Sequence, residues 1–188
     1  MVGFLYLKME TQEKLNFINS QIFSLTISGA FSHGKGYPVF RKDKLVSEKQ
    51  KSVFHGFLRK ELEKLEDVYR QPVDSNRHNL NILKLKDEII EDSKDILHEG
   101  KIRIGRVQKL LNLYLKYLWT LGRIAEPPHC PFDSIVIGRG LGLKNISWTK
   151  IDELDEYKNL VEKATSIARG KGLSISEWEL KLFNGILK

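Results

Sequence analysis

The sequence predicts an all-α fold, a compact multi-helix domain built around one buried central helix. Three observations support this fold class. Apolar residues recur at spacings of three and four in several segments, strand signals are weak, and residues 105–122 are apolar on nearly every side. At 188 residues, the chain can bury a substantial core. We expect one domain over residues 1–188, or two packed lobes that meet at a cleft near residues 100–135.

The first two helices follow from their apolar spacing. A helix is predicted from about Thr11 through Leu25, and a short strand is allowed at residues 2–7. Residues 32–44, with two glycines, a proline and four basic residues, are predicted to form a loop. Ser47 is then a candidate N-cap for the second helix. Its apolar stripe consists of Val53, Phe54, Phe57, Leu58, Leu62, Leu65 and Val68.

Three further helices are predicted outside the central one. A loop at residues 71–79 precedes a helix over residues 80–97. Thr149 is a candidate N-cap for a helix that ends near Gly170. Ser174 and Glu177 have the spacing of a capping box that starts the last helix. The whole chain is expected to contain about six or seven helices.

The composition excludes several classes of protein. With 41% hydrophobic and 29% charged residues, the chain is typical of a folded globular protein. No apolar run approaches the roughly 18 residues of a membrane span, and the first residues lack a signal-peptide pattern, so we expect a cytoplasmic protein without a membrane partner. A single cysteine, Cys130, excludes an internal disulfide and a multi-thiolate zinc site. No metal or cofactor is predicted. The net charge of +7 favours a polyanionic partner, most simply nucleic acid.

The central helix contains few polar residues, and they share one face. This polar stripe consists of Gln108, Lys109, Asn112, Lys116 and Thr120. Either the stripe touches solvent and Lys116 extends to water, or it lines a cleft. Lys109 lies near the start of the helix, where the helix dipole favours a neutral amine, and a neutral amine is a nucleophile.

The segment Pro-Pro-His-Cys-Pro-Phe-Asp, residues 127–133, holds three of the five prolines and is called the proline segment below. Each proline fixes its own φ and restricts the residue before it, so the segment should be extended and stiff. Asp133 at its end could cap a helical turn that starts near Ser134, or it could be presented to a substrate. Cys130 is interpreted as a packed side chain rather than as a nucleophile.

The stretch IGRVQKLLNLYLKYLW…PPHCPFDSIVI, residues 104–137, resembles the helix-hairpin-helix DNA glycosylases, and within them the archaeal 8-oxoguanine type. The resemblance implies that Lys109 attacks the sugar C1′ and that Asp133 assists departure of the base. It also implies that Gly105 belongs to a phosphate-binding hairpin. Lys109 and Asp133 should then lie within roughly 10 Å of each other, because one sugar must reach both.

Further site residues are predicted around this pair. The nucleic-acid contacts are Lys101, Arg103, Gly105 and Arg106, together with the stripe residues Gln108, Asn112 and Lys116. A second candidate cluster of phosphate contacts is Lys35, Arg41, Lys42 and Lys44. Trp119, Phe132 and Trp148 are candidate walls of a pocket for an extruded base, although aromatic residues of a helical protein also form its core.

The sequence therefore predicts a DNA glycosylase, with or without Schiff-base lyase activity, that removes a damaged or modified base. The alternative is a non-catalytic helical protein that binds nucleic acid or a protein partner.

Overall fold

The computed structural model describes the backbone of residues 2–31 and 36–187 and the side chains of residues 11–31 and 36–187. Six α-helices follow one another along these residues. They are α1 (Val2–Phe31), α2 (Glu48–Tyr69), α3 (Ser75–Ser93), α4 (Ile104–Thr120), α5 (Leu154–Arg169) and α6 (Ile175–Phe183). Three short helical turns lie between them: His98–Gly100, Val136–Gly140 and Trp148–Lys150.

The predicted all-α class is confirmed, since the described residues form helices and no strand. The short strand expected at residues 2–7 is wrong, because α1 already begins at Val2. An isolated antiparallel bridge joins Phe40 and Leu97, which lie in irregular segments between the helices. In the described part of the chain, no helix is both long and apolar enough to cross a membrane.

Capping residues set the boundaries of several helices. Ser47 and Ser174 each begin a capping box, with Gln50 and Glu177 as the reciprocal partners, so both predicted caps are confirmed. Thr149 is not a cap, because α5 starts five residues later behind Glu153. The third helix also starts earlier than predicted. Asp74 accepts a hydrogen bond from the Arg77 N–H, and α3 begins inside the segment predicted as a loop.

The predicted central helix is α4, which packs against α1, α2, α3 and α5. Its apolar side chains Leu110, Leu111 and Leu115 are inaccessible to solvent. On α2, Phe54, Leu58 and Leu62 face this core, whereas Val53 and Val68 of the predicted stripe are exposed. Because α4 is enclosed on most sides, its polar residues must find their partners inside the protein.

Candidate functional site

Lys109 and Asp133 form an ion pair. Lys109 Nζ lies 2.5 Å from Asp133 Oδ2, and the side chains are 7% and 23% exposed. The predicted proximity of these two residues is therefore confirmed. The carboxylate is the more accessible partner of the pair.

Asp133 also caps the helical turn that follows it. Its Oδ1 accepts hydrogen bonds from the Ile135 N–H at 2.9 Å and the Val136 N–H at 3.0 Å, while Oδ2 faces Lys109. Burial by itself would raise the pKa of Asp133, but the Lys109 ammonium and the two amides outweigh it, and the pKa lies below its ordinary value. Asp133 is thus an ionised carboxylate at neutral pH, with one oxygen devoted to the backbone and the other to the lysine.

Gln108 fixes the proline segment against α4. Its Nε2 donates to the Phe132 carbonyl at 2.7 Å, and its Oε1 accepts from the Phe132 N–H at 3.1 Å. The side-chain amide therefore satisfies both backbone groups of the residue next to Asp133. Since Gln108 and Lys109 are consecutive on a buried helix, one element holds both the segment that carries the carboxylate and the amine that faces it.

A buried hydrogen-bond network continues behind Gln108. Asn112 Nδ2 donates to Gln108 Oε1 and to the Tyr157 hydroxyl, at 3.2 and 3.1 Å. His129 lies between the Tyr157 hydroxyl, 2.7 Å from Nδ1, and the Ser75 hydroxyl, 2.7 Å from Nε2. Burial lowers the pKa of His129 to about 3, so its ring is neutral at physiological pH. The network joins α3, α4, α5 and the proline segment.

A second ion pair lies further along α4. Lys116 Nζ is 2.8 Å from Glu179 Oε2 on α6, and the two side chains are 11% and 7% exposed. Burial raises the pKa of Glu179 even though the Lys116 ammonium acts in the opposite direction. Sequence reasoning missed Glu179. The signal was present, because Glu179 lies four residues after Ile175 and three before Leu182, on the apolar face of α6.

The prediction that the polar stripe touches solvent is wrong for four of its five residues. Gln108, Lys109, Asn112 and Lys116 are buried, whereas Thr120 is exposed. Their partners come from the proline segment, α5 and α6. The spacing correctly grouped these residues on one face, but that face is an internal polar contact.

The predicted phosphate contacts at the start of α4 need correction. Arg106 is buried, and its guanidinium donates to the carbonyls of Ala30 at 2.5 Å and Tyr37 at 2.8 Å. Burial lowers the pKa of Arg106 to about 10. At Gly105, a Cβ would lie 1.7 Å from the Trp148 carbonyl oxygen, and the Gly105 N–H already donates to Ile151. Gly105 is therefore a packing glycine in this conformation, and Arg106 is a core residue.

The other predicted phosphate contacts lie nearer the surface. Arg103 donates to the Lys150 carbonyl and stacks over the Tyr37 ring at 3.8 Å. Lys101 is exposed, 3.9 Å from Glu99. In the second cluster, Arg41 pairs with Asp43, whereas Lys42 and Lys44 are exposed; Lys35 lies outside the described residues.

The three aromatic candidates do not form an open base pocket. Phe132 and Trp148 are buried in the core, and Phe132 packs edge-on against Tyr157. Trp119 is only partly buried and lies beside the core. Cys130 is buried, and burial raises its thiol pKa well above the ordinary value, in keeping with a packed side chain. Among the described residues, no group of three or more His, Cys, Asp or Glu side chains is arranged to hold a metal ion.

Comparisons with known proteins add no relative to this description. The chain matches no protein-family model, and neither a curated protein nor a solved structure is significantly similar to it.

Proposed function

We propose that the chain is a DNA glycosylase with Schiff-base lyase activity that acts on a damaged or modified base. The observation that carries the proposal is the pair of Lys109 Nζ and Asp133 Oδ2 at 2.5 Å. An amine and an ionised carboxylate, both held by rigid elements, are the two groups that this reaction requires of a protein.

Asp133 has the properties needed to stabilise a sugar cation. Breaking the bond between C1′ and the base leaves positive charge on the sugar, and a fixed negative charge lowers the energy of that state. The lowered pKa of Asp133 keeps the carboxylate ionised, and its two backbone hydrogen bonds fix its orientation. Its partial exposure leaves it reachable from solvent.

Lys109 would supply the nucleophile. As Nζ forms a bond to C1′, the bond from C1′ to the base breaks, and its electron pair leaves with the base. The ammonium must lose a proton for this attack. Oδ2 of Asp133 is within hydrogen-bond distance to receive it and passes it to the departing base, which leaves the carboxylate ionised again. The C1′–O4′ bond then breaks, O4′ takes up a proton from Nζ, and the resulting protonated imine between Nζ and C1′ permits strand cleavage by elimination.

Borohydride trapping tests this chemistry directly. We expect the wild type to form a covalent adduct with a duplex that contains an abasic site or a modified base, and Lys109→Ala to form none. Lys116→Ala is the matched control, because it removes the other buried lysine of the same helix together with its ion pair. An adduct that persists in Lys109→Ala, or that disappears equally in Lys116→Ala while the protein stays folded, would contradict the proposal.

A second candidate function is a non-catalytic helical module that binds nucleic acid or a protein. The burial of Arg106, Phe132 and Trp148 favours it, because these residues serve the core in the present conformation. The same experiment separates the two functions. If the wild type forms no adduct across a panel of lesions, the ion pair is structural and the binding module is the better description.

A further inference from the structure

The chain that follows Asp133 is free of acidic residues for 18 positions. Residues 134–151 contain no Asp or Glu, but they include Arg139, Lys144 and Lys150. Within them, residues 137–144 read Ile-Gly-Arg-Gly-Leu-Gly-Leu-Lys and are called the glycine-rich loop below. The loop begins within the helical turn Val136–Gly140, which follows closely after Asp133.

Two backbone hydrogen bonds close the glycine-rich loop. The Leu141 N–H donates to the Val136 carbonyl at 2.9 Å, and the Leu143 N–H donates to the Ile137 carbonyl at 3.0 Å. The chain therefore returns on itself, and Lys144 lies next to the start of the loop. Arg139 is six residues from Asp133, about 9 Å along a helical backbone.

The two cations of this loop are not used by the folded chain. Arg139 and Lys144 are exposed, and neither has a hydrogen bond or an ion pair among the described side chains. Arg103 and Arg106, by contrast, are engaged with backbone carbonyls of the protein itself. Of Arg103, Arg106, Arg139 and Lys144, the two that follow Asp133 are therefore the ones available to an anion.

The glycines of the loop have different reasons for being there. Gly142 has φ +69°, which favours glycine, and a Cβ at Gly140 would lie 2.8 Å from atoms of Trp178 and Leu182. Gly138 has neither requirement, because a Cβ there would meet nothing within 4 Å and its φ is not left-handed. Glycine is unfavourable in a helical turn compared with alanine. A bare backbone at Gly138 is explained if another molecule approaches it closely.

We propose that the glycine-rich loop binds the phosphate backbone of a nucleic-acid strand whose sugar reaches Asp133. Arg139 and Lys144 contact phosphates next to that sugar, and Gly138 lets the strand lie against the protein backbone. The placement of the sugar rests on the proposed function. The phosphate contact itself requires only the two cations of the loop, the absence of acidic residues from positions 134–151 and the exposed backbone at Gly138.

A binding titration tests the phosphate contact apart from catalysis. The probe is a fluorescently labelled DNA duplex with one tetrahydrofuran abasic analogue, which cannot form a Schiff base. We expect Arg139→Glu and Lys144→Glu each to weaken binding about tenfold and to lower the slope of log K against log salt by about one. Lys60→Glu on α2 is the matched control, an exposed lysine without an ion pair that should change affinity less than twofold.

Gly138→Ala provides a second measurement that does not alter charge. The added methyl group points into open space, so the melting temperature should stay the same or rise. The affinity for the duplex should fall several-fold, because the methyl group holds the strand away from the backbone. Wild-type affinity in Gly138→Ala would contradict the close approach.

The outcomes separate this inference from the proposed function. Equal losses in Arg139→Glu and Lys60→Glu, or no binding by the wild type at low salt, would overturn the phosphate site. If the duplex binds through the loop but borohydride traps no adduct, the glycosylase proposal fails and the contact surface stands. If borohydride traps an adduct but Arg139→Glu leaves the affinity for the duplex unchanged, the phosphate site fails and the glycosylase proposal stands.

Discussion

The two ion pairs of α4 have the same chemical groups and different surroundings. Lys109 faces a carboxylate that ends an irregular segment, is partly exposed and accepts two backbone hydrogen bonds. Lys116 faces the carboxylate of Glu179 on α6, and the Glu179 side chain is almost fully buried. The pKa of Asp133 is therefore lowered, whereas burial raises the pKa of Glu179. The comparison teaches that backbone donors and access to water, and not the pairing with lysine alone, decide which carboxylate is held ready as an anion.

Removing the enclosed carboxylate should have the largest effect. Glu179→Ala leaves the Lys116 ammonium buried without its counter-charge, and we expect a loss of about 3–5 kcal/mol in the free energy of unfolding. Asp133→Asn keeps a capping oxygen at the more exposed pair and should cost about 1–3 kcal/mol. Urea unfolding measures both.

The control for this prediction replaces both partners of the enclosed pair. Lys116→Met combined with Glu179→Leu removes the two charges together and should recover most of the stability lost in Glu179→Ala. If Asp133→Asn proves as costly as Glu179→Ala, the difference in surroundings between the two pairs has no energetic consequence.

The pH dependence of stability should distinguish the pairs with a smaller effect. The lowered pKa of Asp133 gives stability that is present above its unfolded pKa of about 3.9 and is lost as the pH falls through the folded value. The raised pKa of Glu179 gives stability that is fully present below its unfolded pKa of about 4.3 and is lost as the pH rises through the folded value.

Free energies of unfolding measured from about pH 3 to about pH 7 test the opposite pH dependences expected for the two carboxylates. Asp133→Asn should flatten the acid side of the profile, and Glu179→Gln should remove the decline above about pH 4. Each change is at most about 1.4 kcal/mol per pH unit, the limit for one proton. The same change of slope in both variants would show that the two carboxylates titrate alike.

The smallest effect concerns the aromatic ring beside the enclosed lysine. Lys116 Nζ lies 4.2 Å from the centroid of the Phe183 ring, whose residue is 65% exposed. Phe183→Ala should lower the free energy of unfolding by about 0.5–1 kcal/mol through loss of the cation–π contact. Phe17, similarly exposed on α1, is the control. Equal losses in Phe183→Ala and Phe17→Ala would leave the ring without a role at the ion pair.

Sequence patterns predicted the helices where local interactions determine them. The capping boxes at Ser47 and Ser174 involve residues three positions apart, so the pattern contains the whole interaction. Thr149 was misassigned because its hydroxyl serves a distant partner, the Tyr37 N–H. A hydroxyl before a helix-like segment cannot reveal such a tertiary contact.

For the candidate site, the spacing of the polar residues identified the face of α4 that they share, but not the residues that pack against that face. The spacing of Gln108, Asn112 and Lys116 correctly placed them together on α4. Their partners Phe132, Tyr157 and Glu179 lie 24, 45 and 63 residues further along the chain. No pattern within one helix encodes those distances. Arg106 was misplaced for the same reason, since the Ala30 carbonyl that it binds lies 76 residues earlier.

The two hydrogen bonds of Gln108 also determine how the proline segment moves. The Gln108 side-chain amide hydrogen-bonds the Phe132 carbonyl and N–H in the way that a neighbouring strand would. The Phe132 N–H is therefore protected from exchange with solvent, although Phe132 lies in no regular element. That N–H can exchange with solvent only when the packing around α4 opens. Residues 127–133 thus belong to the same cooperative unit as the central helix. The carboxylate at the end of the segment keeps its position for as long as the core itself remains folded.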